Sequence, residues 1–290
     1  MSPLNRDQIL YYCIKSLAAI SVVSILFIIC FLILESSDVL RKINVSQYFF
    51  DANWHPNDGE FLLLPMIFGS LFVMIGAMIL AIPLGFFSAI LCQFYSPAWI
   101  SRFFQRIIEV LSGIPSVVYG FWGVVVIVPL LATIQAPGTS LLAGILVLTL
   151  IIMPGLALIA NHAFQNVDKI HLQNAIALGL SRYSIIRHII FPQAKRGLLT
   201  GMILQSGRAI GETLAVLMVC GNVVQFPGNL FEPVRTLTSN IALEMAYAMD
   251  LHRSALFLSG LILMLVVLGL ILLAERIELT PETNDKVKTT

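Results

Sequence analysis

Charge is what this sequence has least of: Asp, Glu, Lys and Arg make up 11% of its 290 residues, against 58% that are hydrophobic. Soluble domains carry about 25% charged and about 45–50% apolar residues, so lipid is the solvent for much of the chain. The net charge is +1, with no basic tail and no basic patch interleaved with aromatics, which excludes nucleic acid as a partner. Cys13, Cys30, Cys92 and Cys220 lie far apart in or beside apolar runs, without metal spacing or a disulfide framework, and read as small buried hydrophobes. No His-Glu-x-x-His, Ser/His pair or carboxylate dyad stands within the apolar runs, which leaves an intramembrane enzyme without machinery. There is also no Gly-x-x-x-x-Gly-Lys-Ser/Thr, nor any Gly-Lys pair, so no nucleotide and no other cofactor is expected in this chain.

What is present is a set of six apolar stretches, at about residues 11–34, 61–94, 107–133, 141–163, 197–224 and 255–273. Each can cross ~30 Å of hydrocarbon as a helix, the form that satisfies its own backbone in lipid. Pro83, Pro115 and Pro129 interrupt the second and third, which are expected to kink, tilt or re-enter. The first stretch is followed by Glu35-Ser36-Ser37-Asp38 rather than a small-residue cleavage site, so it is expected to be retained. With the N-terminus in the cytoplasm, most Lys and Arg fall on the cytoplasmic side; Arg41, Lys42, Arg235 and Arg253 fall outside and Arg208 within a span. That asymmetry places both termini in the cytoplasm of a multi-pass inner-membrane protein. The expected organisation is an all-α membrane protein in three parts. Residues 1–60 hold the first helix and an external segment, residues 61–277 a core of five spans with a cytoplasmic loop at 165–196, and residues 278–290 a mobile cytoplasmic tail. The external segments 35–60 and 225–254 carry prolines, aromatics and acids, and either touch a partner or cap the bundle.

The cytoplasmic loop has its own pattern. Ala175, Ile176 and Leu178 lie in a short helical piece before Gly179, which supplies a bend. Ile185 with Ile189, and Ile186 with Ile190, then share a face of a second piece, flanked by Arg182, Arg187 and His188, and Pro192 is expected to end it. Two short helices presenting apolar side chains either lie on the membrane or dock into a cytoplasmic partner.

Arg208 is the other singular feature. It falls near mid-membrane, where insertion of an arginine costs ~2.5–3.5 kcal/mol. Glu212, four residues later, is expected on the same face and able to pair with it. The pair is either a lock between helices or an anion station, since a guanidinium offers a planar fork of donors matched to phosphate-like oxygens. Gly197 with Gly201, and Gly207 with Gly211, are spaced for close helix approach. Glu109, three residues after Arg106, reads as half of an interfacial ion pair. His162, His171 and His188 have no matching ligand set.

The loop resembles the EAA loop of ABC-importer permeases, Glu-Ala-Ala, three residues, Gly, nine residues, Ile, one residue, Leu-Pro. Ala175, Gly179, Ile189 and Pro192 match, whereas Gln173, Asn174 and Phe191 depart from it. The run Gly207-Arg208-Ala209-Ile210-Gly211-Glu212-Thr213 through Asn222 resembles the fifth-helix motif of phosphate-importer permeases, and Glu109 through Gly120 their third-helix motif. Trp54-x-Pro56 followed by Pro65-x-x-x-Gly69-Ser70 is similar to the PstC type rather than the PstA type. The resemblance implies a MetI-like permease architecture and import of inorganic phosphate, with another oxyanion or small polar solute as the alternative; a secondary carrier would instead need paired broken helices from internal repeats. It implies Arg208 and Glu212 on the translocation path. It also implies a coupling loop, carried here by Gln173, Ala175, Gly179, Arg182, Ile189 and Pro192, set against an ATPase. The implied partners are a PstA-like second permease, two PstB-like ATPase subunits that bind ATP and Mg, a PstS-like extracytoplasmic binding protein, and membrane lipid.

Overall fold

The computed structural model describes residues 3–42, 48–49 and 53–279, so the expected tail lies outside them from residue 280 onward. The described residues are mostly helical and form no named strand; His55–Glu60 and Gly221–Val234 pair as isolated bridges. The helices in chain order are α1 (Pro3–Lys42), α2 (Leu64–Ile90, continued by a π turn at Leu91–Tyr95), α3 (Ala98–Gly113), α4 (Ser116–Trp122), α5 (Val128–Ala132), α6 (Leu141–Gln165), α7 (Lys169–Ala177), α8 (Arg182–Ile185), α9 (Phe191–Ile210), α10 (Leu214–Val219), α11 (Leu237–Glu244) and α12 (Asp250–Leu279).

The chain divides into two compact units. One comprises Met1–Leu63 and Leu243–Met264. From Ile9 to Phe27, α1 exposes its large apolar side chains all round, as a helix in lipid can. Its C-terminal end is where packing begins: Phe31 meets Phe257 edge-on at 5.5 Å, the Ser254 hydroxyl donates to the Glu35 carbonyl at 2.6 Å, and the Tyr48 hydroxyl donates to the Ala255 carbonyl at 2.6 Å. Phe61 and Leu63 are fully buried there.

The other unit comprises Leu64–Ala242 and Leu265–Thr290. Its core is α6, which buries Val147, Leu148, Ile152 and Leu156. α2 runs parallel to α6, with Gly76 against Ile145 and Gly85 against Leu156. α9 runs antiparallel to α6, with Gly201 against Ile159, Gly197 against Ala163, and Gln205 against Gly155. Small residues let these backbones approach because lipid gives no hydrophobic drive, so van der Waals contact must hold the helices together. The expected glycine spacing is borne out at Gly197 and Gly201. It does not extend further: Gly207 faces only Val267, at 3.9 Å, and Gly211 meets only its own backbone.

The prolines act differently according to what precedes them. Pro83 sits inside α2, and Pro129 in the first turn of α5 after a π turn at Gly123–Ile127, which carries the helix across. Pro115 breaks the chain: Ile114 before it is extended (ψ 130°), and α3 and α4–α5 are bent by 90°. The third apolar stretch is therefore not one helix. α3 is amphipathic, burying Ile108 while Arg102, Arg106 and Glu109 are exposed, and no ion pair joins Arg106 to Glu109 among the described residues.

The fifth stretch is broken too. α9 ends at Ile210, Gly211–Thr213 are non-helical, and α10 closes within six residues at Val219. Among the described residues, α1, α2, α6 and α12 are long and apolar enough to cross a membrane, and the bent pair α3 with α4–α5 offers a fifth crossing. Pro115 interrupts the third stretch, one of the two expected to kink or re-enter, and the Gly211–Thr213 segment interrupts the fifth, which was expected to run as one helix.

Candidate functional site at the broken helices and the cytoplasmic loop

Arg208 occupies the last turn of α9, where a cation complements the negative end of the helix dipole. Its side chain is exposed on the surface of this chain, not sealed between helices, and makes no hydrogen bond or ion pair with the described residues. Glu212 lies four residues on but beyond the helix end, half-buried in the break, so the expected Arg208–Glu212 pairing is absent. The reason is local: once α9 stops at Ile210, the i,i+4 register that would stack the two side chains no longer exists.

The break is built rather than frayed. The Glu212 amide donates to the Ala209 carbonyl at 3.3 Å, the Thr213 hydroxyl donates to the Gly211 carbonyl at 3.2 Å, and the Thr238 hydroxyl donates to the Glu212 carbonyl at 2.9 Å. Thr238 lies in the first turn of α11, whose start is held by the Ser70 hydroxyl accepting from the Leu237 amide at 2.9 Å. Freed backbone groups at membrane depth must find such partners. α10 is pressed against α4, where a Cβ on Gly120 would stand 2.7 Å from the Ala215 backbone. Tyr119, beside Gly120, lies within electrostatic reach of Arg208 and donates its hydroxyl to the Leu111 carbonyl at 2.9 Å, across the α3–α4 bend. α4, which follows one break, thus packs against α10, which follows the other, and Tyr119 comes within electrostatic reach of Arg208.

The sequence singled out Arg208 and Glu212 but not Tyr119, within electrostatic reach of Arg208, or Thr238, bonded to Glu212. Tyr119 was within reach, since it stands in the same third-helix motif; Thr238 carries no signal in its neighbourhood.

The cytoplasmic loop folds as two short helices with a glycine between them. Asp168 and Ser181 cap α7 and α8, their side chains accepting from the Ile170 and Ser184 amides. Gly179 takes φ +73°, which an L side chain adopts only with strain, while the Leu180 amide donates to the Ala175 carbonyl at 3.1 Å. Ala175, Ile185, Ile186 and Ile190 turn inward onto Phe164 and Leu198, with Ile189 packed beside them. Arg182 donates to the Phe94 carbonyl at 3.2 Å, anchoring the loop to the end of α2. Gln173 points outward, as do Ile176 and Leu178, the latter 79% exposed. One expectation fails: Pro192 does not end the second piece. A π turn at Ile186–Ile190 carries α8 directly into α9, with Pro192 in the first turn of α9, where its missing N–H is tolerated.

A further network was invisible in the sequence. Glu244 is buried and accepts from the Trp54 indole at 2.9 Å, and its Oε2 lies 2.8 Å from His252 Nε2. Nothing in residues nearly two hundred positions apart announces that contact.

Comparison with known proteins matches residues 81–278 to the family described as "Binding-protein-dependent transport system inner membrane component". The probable ABC transporter permease protein YqgH of Bacillus subtilis (strain 168) is 37% identical over 243 residues, covering 82% of this chain and 79% of the relative. The phosphate transport system permease protein PstC of Haemophilus influenzae is 30% identical over 278 residues, covering 89% of this chain and 88% of the relative. Among solved structures, a chain of the MetNI methionine ABC transporter in an inward-facing conformation aligns with a TM-score of 0.60 at 18% identity, over 74% of this chain and 94% of that one. At that identity the likeness speaks for the fold, a MetI-like permease architecture.

Proposed function

The chain belongs to the binding-protein-dependent transport system inner membrane component family, and from that premise we propose that it is the PstC-type subunit of an ATP-driven importer of inorganic phosphate. The observation that carries the substrate is Arg208, a permanently charged fork of donors with no hydrogen bond or ion pair among the described residues, at the end of a broken helix. A phosphate shedding water needs donors already in place, and a guanidinium supplies them at low dielectric without a proton to lose. Glu212, held in the adjoining break, opposes tight capture of an anion and so favours release. Because Arg208 is exposed on this chain, its surroundings are completed by a second permease of the PstA type.

ATP and Mg belong to two PstB-like subunits, which receive the outward apolar residues Ile176 and Leu178 of the loop. Ala175, Ile189 and Arg182 fasten that loop to the α2 and α6 ends, so a push on Gln173, Gly179 and Leu178 reaches the helices as a rigid displacement; Pro192 lets the same helix continue into α9. A PstS-like binding protein delivers phosphate on the opposite side, and both termini lie in the cytoplasm.

The test is phosphate-stimulated ATP hydrolysis and uptake by the reconstituted complex, with sulfate as comparison. Stimulation by phosphate, with Arg208→Gln assembling normally but taking up none, is expected. Equal stimulation by sulfate overturns the substrate, and unimpaired transport by the variant overturns the role of Arg208.

A further inference from the structure

A groove of about 700 Å³ runs beside the end of α2, between it and the segment joining α8 to α9. Pro83, Phe87 and Ile90 of α2 form one wall, and Ile186 and Phe191 the other. Its polar members are Tyr95, Tyr183 and Arg187, all exposed, and Arg187 is the one charged residue lining the groove among the described residues. Arg187 donates to the Tyr183 hydroxyl at 2.8 Å and lies 6.0 Å from the centre of that ring, and both residues are exposed. Most of its N–H donors are thus left for something else.

Three features define the occupant. The walls are apolar, the mouth is aromatic and cationic, and among the described residues no acidic one lines the groove. The length fits as well: from Pro83 to Tyr95 the chain advances roughly 18 Å at 1.5 Å per residue, against ~15 Å for the hydrocarbon of one leaflet. Tyrosines and an arginine at the rim, above an apolar trough, are the arrangement found where a helix end meets lipid headgroups. Basic pockets between transmembrane helices on the cytoplasmic side hold anionic headgroups.

We infer that this groove binds one anionic phospholipid of the cytoplasmic leaflet, its phosphodiester on Arg187 and one acyl chain along α2 from Ile90 toward Pro83. Because Ile186 and Arg187 belong to the π turn joining the loop to α9, the lipid braces the joint through which the loop moves its span.

The experiment uses the purified complex containing this chain, in nanodiscs and by native mass spectrometry, with phosphatidylglycerol and phosphatidylcholine as probes. The wild type is expected to retain phosphatidylglycerol about fivefold over phosphatidylcholine. Arg187→Gln is expected to abolish that preference without reducing phosphatidylcholine retention, and Arg187→Lys to restore part of it. Ile90→Trp, which fills the trough, is expected to lower retention of both lipids. An unchanged preference in Arg187→Gln, or undiminished retention in Ile90→Trp, overturns the inference. So does loss of a partner subunit from either variant, because protein and not lipid would then cover the groove.

Discussion

The Thr238 hydroxyl donates to the Glu212 carbonyl at 2.9 Å, tying the first turn of α11 to the break between α9 and α10. With the local bonds at Ala209 and Gly211, that contact explains how the helix can stop within an apolar stretch: the Glu212 carbonyl is satisfied by a residue 26 positions away. The break in turn sets Arg208 at a helix end, and it removes the register that would have neutralised the charge with Glu212.

Thr238→Val is therefore expected to leave that carbonyl unsatisfied, a loss of about 1–3 kcal/mol. Thr238→Ser keeps a donor and should behave like the parent. Thermal unfolding of the purified protein, followed by uptake assays on both variants, checks the pair; equal stability of Val and Ser would refute the bracing role.

Gly179 offers a test that separates space from backbone strain. Nothing lies within 4 Å of where a Cβ would stand, yet φ is +73°. Gly179→Asn, a residue that tolerates this region, should retain substrate-stimulated ATP hydrolysis, whereas β-branched Gly179→Val should lose it at a strain of about 1–3 kcal/mol. Similar activity in both would mean that the turn does not matter to coupling.

At the α6–α9 contact, Gly201→Leu meets Ile159 and should prevent assembly or lower the yield of folded protein severely. Gly207→Ala, with Val267 no closer than 3.9 Å, should be tolerated. Size-exclusion profiles of the two variants decide.

Trp54→Phe keeps an aromatic ring against Phe61 but removes the indole donor to Glu244. Loss of a hydrogen bond to a buried acceptor of this kind costs about 1–3 kcal/mol. A melting temperature lowered by several degrees is expected, with the affinity for phosphate unchanged; an altered affinity would move this network from stability into transport.

The fold class was legible because composition and run length report the solvent directly. The loop was legible for a similar reason, since Gly179 and the isoleucine spacing act within a few residues of themselves; the caps Asp168 and Ser181 came from the structure. Local rules erred where tertiary partners intervene. Pro192 was expected to stop a helix, and the chain instead continues through it, because it directly follows a π turn and lies in the first turn of α9, where its missing donor is tolerated.

By itself, then, the order of residues determined that this chain lives in lipid, which stretches are apolar enough to cross it, that a glycine turns the loop at 165–196, and that an arginine falls within an apolar stretch. Only the tertiary structure decided that the fifth stretch breaks at Gly211–Thr213, that Arg208 and Glu212 part company, and that Thr238 reaches Glu212 and Trp54 reaches Glu244. The physical reason is range. Burial in lipid and backbone preference act on neighbours in the chain, whereas a freed carbonyl or a buried carboxylate is satisfied by whichever donor the packing of distant helices brings within 3 Å of it.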